Sequence, residues 1–128
     1  MRTILSTLLI AILLATLACS AAYSAQNDVW LAGYLLLRIK APGEGQTLQQ
    51  RVDTVQLRAN DLLALSNTLP KVSVKHSRTH STIIADGKLF MNVTAADARA
   101  DGKSVQKLAN YWAQRLRTIL PDATPIKH

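Results

Sequence analysis

The last quarter of the chain carries the pattern that most restricts what the protein can fold into. Between Val105 and Leu120, apolar residues recur at spacings of three and four, as on one face of an α-helix. Such a stripe requires an apolar partner surface that shields it from water. We therefore predict an amphipathic helix that packs on the core and is ended by Pro121. The stripe consists of Val105, Leu108, Ala109, Trp112, Leu116, Ile119 and Leu120.

An earlier stretch shows the same helical spacing. It begins after Thr47, which is suited to cap a helix N-terminus, and it ends before Pro70, which cannot continue a helix. The apolar stripe consists of Leu48, Val52, Val55, Ala59, Leu62 and Leu63. The polar residues that fall largely off this stripe are Arg51, Asp53, Gln56, Arg58 and Asn60.

Two strands are predicted before this helix. Val29–Leu31 and Tyr34–Ala41 are apolar, and the dipeptide between them ends in Gly33, which can adopt the positive φ of a tight hairpin turn. Simple alternation along the second strand is expected to place Leu35, Leu37 and Ile39 on one face.

Three further strands are predicted between the helices. They correspond to the segments VSVKHS, TIIA and KLFMNV, and Asp86-Gly87 between the last two is a strong hairpin signal. The predicted order is therefore β-β-α-β-β-β-α. We expect an α+β fold in which two amphipathic helices pack on one face of a mainly antiparallel sheet.

Length and composition indicate a single folded domain. The chain has 128 residues, of which 48% are hydrophobic and 18% are charged. This composition is typical of folded proteins. We assign residues 26–121 to the domain and residues 122–128 to a flexible tail. A core of this size is too small for a large enclosed cavity, so an enzyme is not expected.

The N-terminal residues 1–25 have the features of a secretory signal peptide. Arg2 supplies a positive charge, Ile4–Leu17 is apolar, and small residues follow from Ala18 to Ala25. On this interpretation the segment is cleaved and the domain is exported.

Two alternatives to cleavage remain open for this segment. The sequence that ends at Cys19 is similar to a bacterial lipobox, although Thr16 stands where that motif prefers an aliphatic residue, so Cys19 is a candidate for lipidation. Ile4–Ala22 is also long enough to span a bilayer as an uncleaved anchor. All three outcomes predict a periplasmic domain or one attached to the periplasmic side of the membrane.

The charge balance predicts attraction to anionic partners. The chain has 15 Lys and Arg against 8 Asp and Glu, a net charge of +7. The charges form no basic block and have little aromatic interleaving, and export makes nucleic acid an unexpected partner. The expected partner is an envelope protein or an anionic membrane surface. The candidate contact residues are Lys71, Lys75, Arg78, Arg115 and Arg117.

The segment from Thr94 to Ser104 contains two acids and a glycine, but its spacing fits helix caps better than an ion site. Thr94 and Asp97 have the spacing of a capping box, Gly102 suits a helix C-terminus, and Ser104 suits the next N-cap. A calcium loop would require acids or amides at alternate positions and a glutamate at its end.

No other pattern indicates chemistry. His76 and His80 lie on a predicted turn without an obvious third ligand, so no metal site is expected. No hydrolase, nucleotide-binding or paired-glutamate motif is present, and we predict no catalytic residue and no cofactor. Trp30 and Trp112 are expected to be core residues or membrane-facing anchors.

The order of these pieces resembles a known family. The matching segments are VWLAGYLLLRIKAP, a helix beginning TLQQRVDTVQLR, and IIADGKLFMNVTAADARADGKSVQKLANYWAQRLRTIL. Together they are similar to the extracytoplasmic domain that precedes the membrane helices in some cyanobacterial small-conductance mechanosensitive-channel-like proteins. The most specific part is the junction and helix at Val93, Thr94, Asp97, Ala98, Gly102, Leu108, Ala109, Trp112, Ala113, Leu116 and Leu120.

The resemblance implies a sensory, assembly or accessory module related to osmotic or mechanical response. Because no pore-forming helices follow in this sequence, it does not imply channel activity. The leading hypothesis is an exported, non-enzymatic interaction module of the cell envelope. The alternatives are a structural, dimerising envelope protein and, with less support, a small envelope hydrolase.

Overall fold

The computed structural model describes residues 27–65 and 68–123. The predicted signal peptide, including Cys19, and the last five residues of the predicted tail lie outside the described residues. None of the helices among the described residues is long and apolar enough to cross a membrane.

The structure confirms the α+β class and the predicted order of the seven elements, and it adds one short helix. The strands are β1 (Asp28–Leu31), β2 (Tyr34–Arg38), β3 (Val72–His76), β4 (Ser81–Ala85) and β5 (Lys88–Val93). The helices are α1 (Leu48–Leu65), α2 (Ala95–Asp101) and α3 (Val105–Ala123).

The strands form two separate antiparallel sheets. β1 pairs with β2, and β3, β4 and β5 pair in that order. Helix α1 contacts β1 and β5, and α3 contacts strands of both sheets, most extensively β2, β3 and β4. The two helices therefore connect the sheets. One sheet was expected from the sequence, whereas the strands form two.

A β-bulge in each sheet changes which side chains face the core. In β2 the register shift leaves Leu36 without a directly opposed residue, because Val29 lies opposite Leu37 and Trp30 lies opposite Leu35. Leu36 and Leu37 are consequently both buried, and Leu35 is exposed. The predicted shared face of Leu35, Leu37 and Ile39 is therefore wrong at Leu35.

The second bulge lies in β5. Ile83 pairs with Met91 and Ile84 pairs with Leu89, which leaves Phe90 as the additional residue. Phe90 and Met91 are both buried, and Leu89 is exposed. Both bulges thus supply two consecutive apolar side chains to the core.

The predicted caps of the two long helices are present. At α1, the backbone N of Gln50 donates to Thr47 Oγ1 over 3.2 Å, and the backbone N of Thr47 donates to Gln50 Oε1 over 2.9 Å. This reciprocal pair is a capping box. At α3, the backbone N of Lys107 donates to Ser104 Oγ over 3.2 Å.

The predicted end of α3 at Pro121 is wrong, because the helix continues to Ala123 with the proline inside it. A proline removes a hydrogen bond to the preceding turn and conflicts sterically with that turn, but the residues after it can still adopt helical dihedral angles.

The core lies between the sheets and the inner faces of the two long helices. From α3 it takes the predicted stripe, including Trp112, which is only 4% exposed. Trp30 is 45% exposed, so it is not a core residue. Its expected role as a membrane-facing anchor stays a prediction.

Truncation of a buried leucine in α3 tests this packing. Leu116 is 1% exposed, and Leu116→Ala is expected to lower the free energy of unfolding by about 2–5 kcal/mol, because a cavity remains where methyl groups were packed. Urea unfolding followed by tryptophan fluorescence measures this change. The control Gln106→Ala, at an exposed position of the same helix, is expected to change stability by less than about 0.5 kcal/mol. Equal effects of the two substitutions would contradict the assigned helix face.

Candidate functional site

A buried ion pair joins α1 to α2. Nη1 of Arg51 lies 2.6 Å from Asp97 Oδ1, and Nη2 of Arg51 lies 2.7 Å from Asp97 Oδ2. The two side chains are 7% and 0% exposed. Two parallel hydrogen bonds of this kind fix both the distance and the orientation of the partners.

The side chains of Arg51 and Asp97 also form hydrogen bonds with the backbone. Arg51 also donates to the carbonyl oxygens of Ala41 and Asn92, each over 2.8 Å. Asp97 Oδ2 accepts from the backbone N of Thr94 over 2.9 Å, and the backbone N of Asp97 donates to Thr94 Oγ1 over 3.3 Å. The predicted capping box of α2 is therefore confirmed, and its Asp97 carboxylate also accepts the hydrogen bonds from Arg51.

The burial of Arg51 contradicts its predicted position off the apolar stripe of α1. A guanidinium can be buried at Arg51 because four of its five N–H donors form hydrogen bonds inside the fold. The capping-box spacing of Thr94 and Asp97 could be predicted from the sequence. The pairing of Asp97 with Arg51 could not, because no local pattern relates residue 51 to residue 97.

Gly43 leaves room for this arginine. A Cβ atom at Gly43 would lie 3.2 Å from Arg51 Cδ and 3.2 Å from Gln46 Oε1. Arg51 is held in place by its hydrogen bonds, so the arginine side chain cannot move aside at low cost to accommodate a Cβ atom at position 43. The glycine in the segment PGEGQ thus allows the loop to pass over the arginine.

A groove of about 630 Å³ lies beside the ion pair, between α1, β5 and the turn after β3. Several of its polar side chains already have partners. Arg58 Nη1 donates to the carbonyl oxygen of Phe90 over 3.0 Å, and His80 Nδ1 lies 3.2 Å from both Ser77 Oγ and Thr79 Oγ1. Within residues 27–65 and 68–123, every buried side-chain nitrogen and oxygen has a hydrogen-bond partner. These partnered polar groups therefore stabilise the fold.

Helix side chains bind the backbone at the outer edges of both sheets. Gln56 of α1 accepts from the backbone N of Trp30 and donates to its carbonyl oxygen, each over 2.8 Å. Arg115 of α3 donates to the carbonyl oxygen of Leu35 in β2. These contacts satisfy backbone groups that an edge strand otherwise presents to another chain.

The five predicted contact residues divide into two groups. Arg115 and Arg117 of α3 hold strands, since Arg117 Nη2 donates to the carbonyl oxygen of Val72 over 3.0 Å. Lys71, Lys75 and Arg78 are exposed, and within the described part of the chain their side chains form no hydrogen bond or ion pair. The structure does not bring all five together.

The three unpaired cations follow one edge strand. Lys71 immediately precedes β3, Lys75 lies within it, and Arg78 lies in the turn that follows. At about 3.3 Å per residue, this row is roughly 20 Å long. A row of that length provides several separate contacts to an extended anionic surface.

A second basic surface was missed by the sequence reasoning. A groove of about 390 Å³ runs between the outer edge of β2 and α3. We call it the β2 groove, and its charged lining consists of Arg38, Lys40, Lys103, Arg115 and Asp101. Arg38 and Lys40 are two residues apart in the sequence, but no local pattern indicated that Lys103 and Arg115 would lie beside them.

The charges of the β2 groove are only partly balanced. Arg38 Nε donates to Asp28 Oδ1 over 2.6 Å, and this hydrogen bond, together with the charge of Asp28, raises the pKa of Arg38. Lys40 Nζ donates to Asp101 Oδ1 over 2.7 Å. Lys103 and Arg115 have no acidic partner among the described residues. Asp101 is therefore a surface ion-pair partner rather than part of an ion-binding loop.

The two histidines of the β3–β4 turn have local polar partners. His76 Nδ1 lies 2.7 Å from Ser81 Oγ, and His80 contacts the turn hydroxyls described above. In the described ranges, no three His, Cys, Asp or Glu side chains lie close enough together to hold a metal ion.

Comparison with known sequences defines the family. Residues 28–123, which include every strand and helix described here, match the sequence model of a family described as a domain of unknown function (DUF8459). The chain belongs to this family. No curated protein and no solved structure matches the chain. The family match covers both basic surfaces and the buried ion pair of this DUF8459 domain.

Removal of one partner tests the buried ion pair. Arg51→Met is expected to lower the free energy of unfolding by about 3–5 kcal/mol, because Asp97 is then left as an uncompensated buried charge. The control Arg99→Met removes an exposed arginine of α2 and is expected to change stability by less than about 0.5 kcal/mol. Urea unfolding measures both effects.

A double-mutant cycle distinguishes the pair from general loss of packing. Arg51→Met combined with Asp97→Leu is expected to cost less than the sum of the two single substitutions, with a coupling of about 0.5–3 kcal/mol. Strict additivity would mean that the two side chains stabilise the domain independently.

Proposed function

We propose that this DUF8459 domain is a non-enzymatic interaction module of the cell envelope that binds an anionic membrane surface. The observation that carries the proposal is the row of Lys71, Lys75 and Arg78, because these cations are exposed and have no side-chain partner within residues 27–65 and 68–123. Most of the other polar groups discussed above hold strands and helices together.

The net charge of +7 favours the same partner. An anionic leaflet attracts basic residues at its surface with about 1 kcal/mol per Lys or Arg. The three cations extend along a strand edge, so one flat surface can contact them together. The signal-peptide features of residues 1–25 favour a periplasmic location for this contact.

A relation to osmotic or mechanical response is part of the proposal. It rests on the resemblance to the extracytoplasmic domains of cyanobacterial small-conductance mechanosensitive-channel-like proteins. A domain that attaches electrostatically to a membrane is suited to an accessory role beside a membrane protein. No channel activity is proposed for it.

The arrangement of the sheet edges favours surface binding over dimerisation by strand pairing. Gln56 binds the edge of β1 at Trp30, and Arg115 and Arg117 bind the edges of β2 and β3. Another strand would have to displace these contacts before it paired. A structural dimer therefore has less support as the alternative function.

Neutralising the free cations tests the proposed membrane contact. The measured quantity is the ratio of affinities of the full chain for vesicles of phosphatidylglycerol with phosphatidylcholine and for vesicles of phosphatidylcholine alone. Any contribution of the apolar N-terminal sequence that is equal for the two kinds of vesicle cancels in this ratio. Lys75→Gln with Arg78→Gln is expected to lower the ratio by roughly 30-fold, which corresponds to about 2 kcal/mol. High salt is expected to lower the wild-type ratio in the same direction, because the Debye length falls to about 3 Å at 1 M.

The matched control is Lys107→Gln with Arg99→Gln, which removes two exposed cations from the helices. These substitutions are expected to leave the ratio nearly unchanged. A wild-type protein that shows no preference for anionic vesicles would refute the proposed function. A dimer detected by light scattering, together with absent vesicle binding, would favour the alternative.

A further inference from the structure

We infer that the domain contacts the bilayer through a second, amphipathic surface, in which the tip of the β1–β2 hairpin enters the headgroup region. We call this surface the hairpin face. It consists of Trp30, Tyr34, Leu35 and Tyr111. The inference rests on the proposed function. It specifies the part of the domain whose apolar side chains are buried in the bilayer.

Four large side chains with apolar surface are exposed on or beside the β1–β2 hairpin. Trp30 and Leu35 are cross-strand partners, Tyr34 lies next to the turn, and Tyr111 lies on α3. Trp30 is 45% exposed, Tyr34 46%, Leu35 38% and Tyr111 52%. Three of the four are Trp or Tyr, whose rings have an apolar body and one polar group. Such rings are enriched at membrane–water interfaces, where both parts are solvated favourably.

The bulge in β2 is the reason that this face exists. Because Leu36 is the additional residue, Leu35 is turned outward and lies opposite Trp30 on the neighbouring strand. The two exposed side chains are therefore cross-strand neighbours near the Ala32-Gly33 turn. A regular strand would have directed Leu35 into the core with Leu37.

Leu35 also connects the hairpin face to the cations of the β2 groove. Both Leu35 and Tyr111 line that groove. The Lys103 Nζ atom lies 4.4 Å from the centre of the Tyr111 ring, so a cation and an exposed aromatic ring already share one site. Leu35 and Tyr111 thus lie beside the basic residues of the groove, and Trp30 adjoins Leu35 across the two strands.

Charge complementarity identifies the occupant of this surface. Four cationic side chains and one carboxylate line the β2 groove, and Lys103 and Arg115 have no acidic partner in the described part of the chain. A bilayer with anionic lipid offers phosphate groups to these cations and an apolar layer to Trp30 and Leu35. A second copy of the chain, packed symmetrically through the same face, would bring like charges together instead.

The two tryptophans allow a direct test in the full chain. Trp30 is exposed and Trp112 is 4% exposed, and the chain has no other tryptophan. Iodide in solution is therefore expected to quench Trp30 and to spare Trp112. With vesicles of phosphatidylglycerol and phosphatidylcholine, iodide quenching is expected to fall towards the level of Trp30→Phe, and brominated lipid is expected to quench Trp30.

A pair of lysine variants tests the role of the β2 groove. Lys103→Gln is expected to lower the preference for anionic vesicles by roughly fivefold, since one cation near the surface contributes about 1 kcal/mol. Lys107→Gln removes an exposed lysine a few residues away that does not line the groove, and less than a twofold change is expected by the same relation. Equal effects of the two variants would remove the β2 groove from the contact.

The outcomes separate this inference from the proposed function. Preferential binding to anionic vesicles with Trp30 still open to iodide would overturn the inference and leave the proposed function intact. Absence of any anionic preference would overturn both. Protection of Trp30 that appears without vesicles and rises with protein concentration would assign the hairpin face to a second copy of the chain.

Discussion

Two small sheets have free edges, and the backbone groups on those edges need partners before the fold is complete. In this domain the partners are long polar side chains that project from the helices. Gln56, Arg51 and Arg58 of α1 bind β1 and the edge of β5, while Arg115 and Arg117 of α3 bind β2 and β3. Each helix therefore bridges the two sheets, and the apolar core is enclosed between them.

This use of arginine explains why net charge alone is a poor guide to the surface. Arg51 is buried against Asp97, and Arg115 and Arg117 are held by strand carbonyl oxygens. Their loss would disturb the fold as well as any binding surface. The cations that remain available are those whose side chains bind no other described residue, such as Lys71, Lys75 and Arg78. The proposed membrane contact is built on these residues for that reason.

The family match defines the domain, whereas the structure shows the surfaces on which the proposed function rests. The DUF8459 match spans residues 28–123 and so defines the unit that folds. The proposed activity comes from the physical character of the surfaces, namely free cations along β3 and an aromatic, basic surface at the β1–β2 hairpin. Both surfaces are on one small domain, and each is proposed to contact an anionic bilayer through its own residues.

The sequence by itself determined the α+β class, the order of the long elements and the helix caps, because hydrophobic periodicity and capping depend on residues only a few positions apart. Thr47, Thr94, Gly102 and Ser104 were predicted correctly on that basis. The tertiary structure alone decided that Arg51 is buried, that Leu35 faces outward and that the strands form two sheets. Those features depend on residues far apart in the chain and on bulges that break strand alternation, so no local pattern specifies them. The β2 groove has the same origin, since Arg38 and Lys103 become neighbours only when α3 packs beside β2.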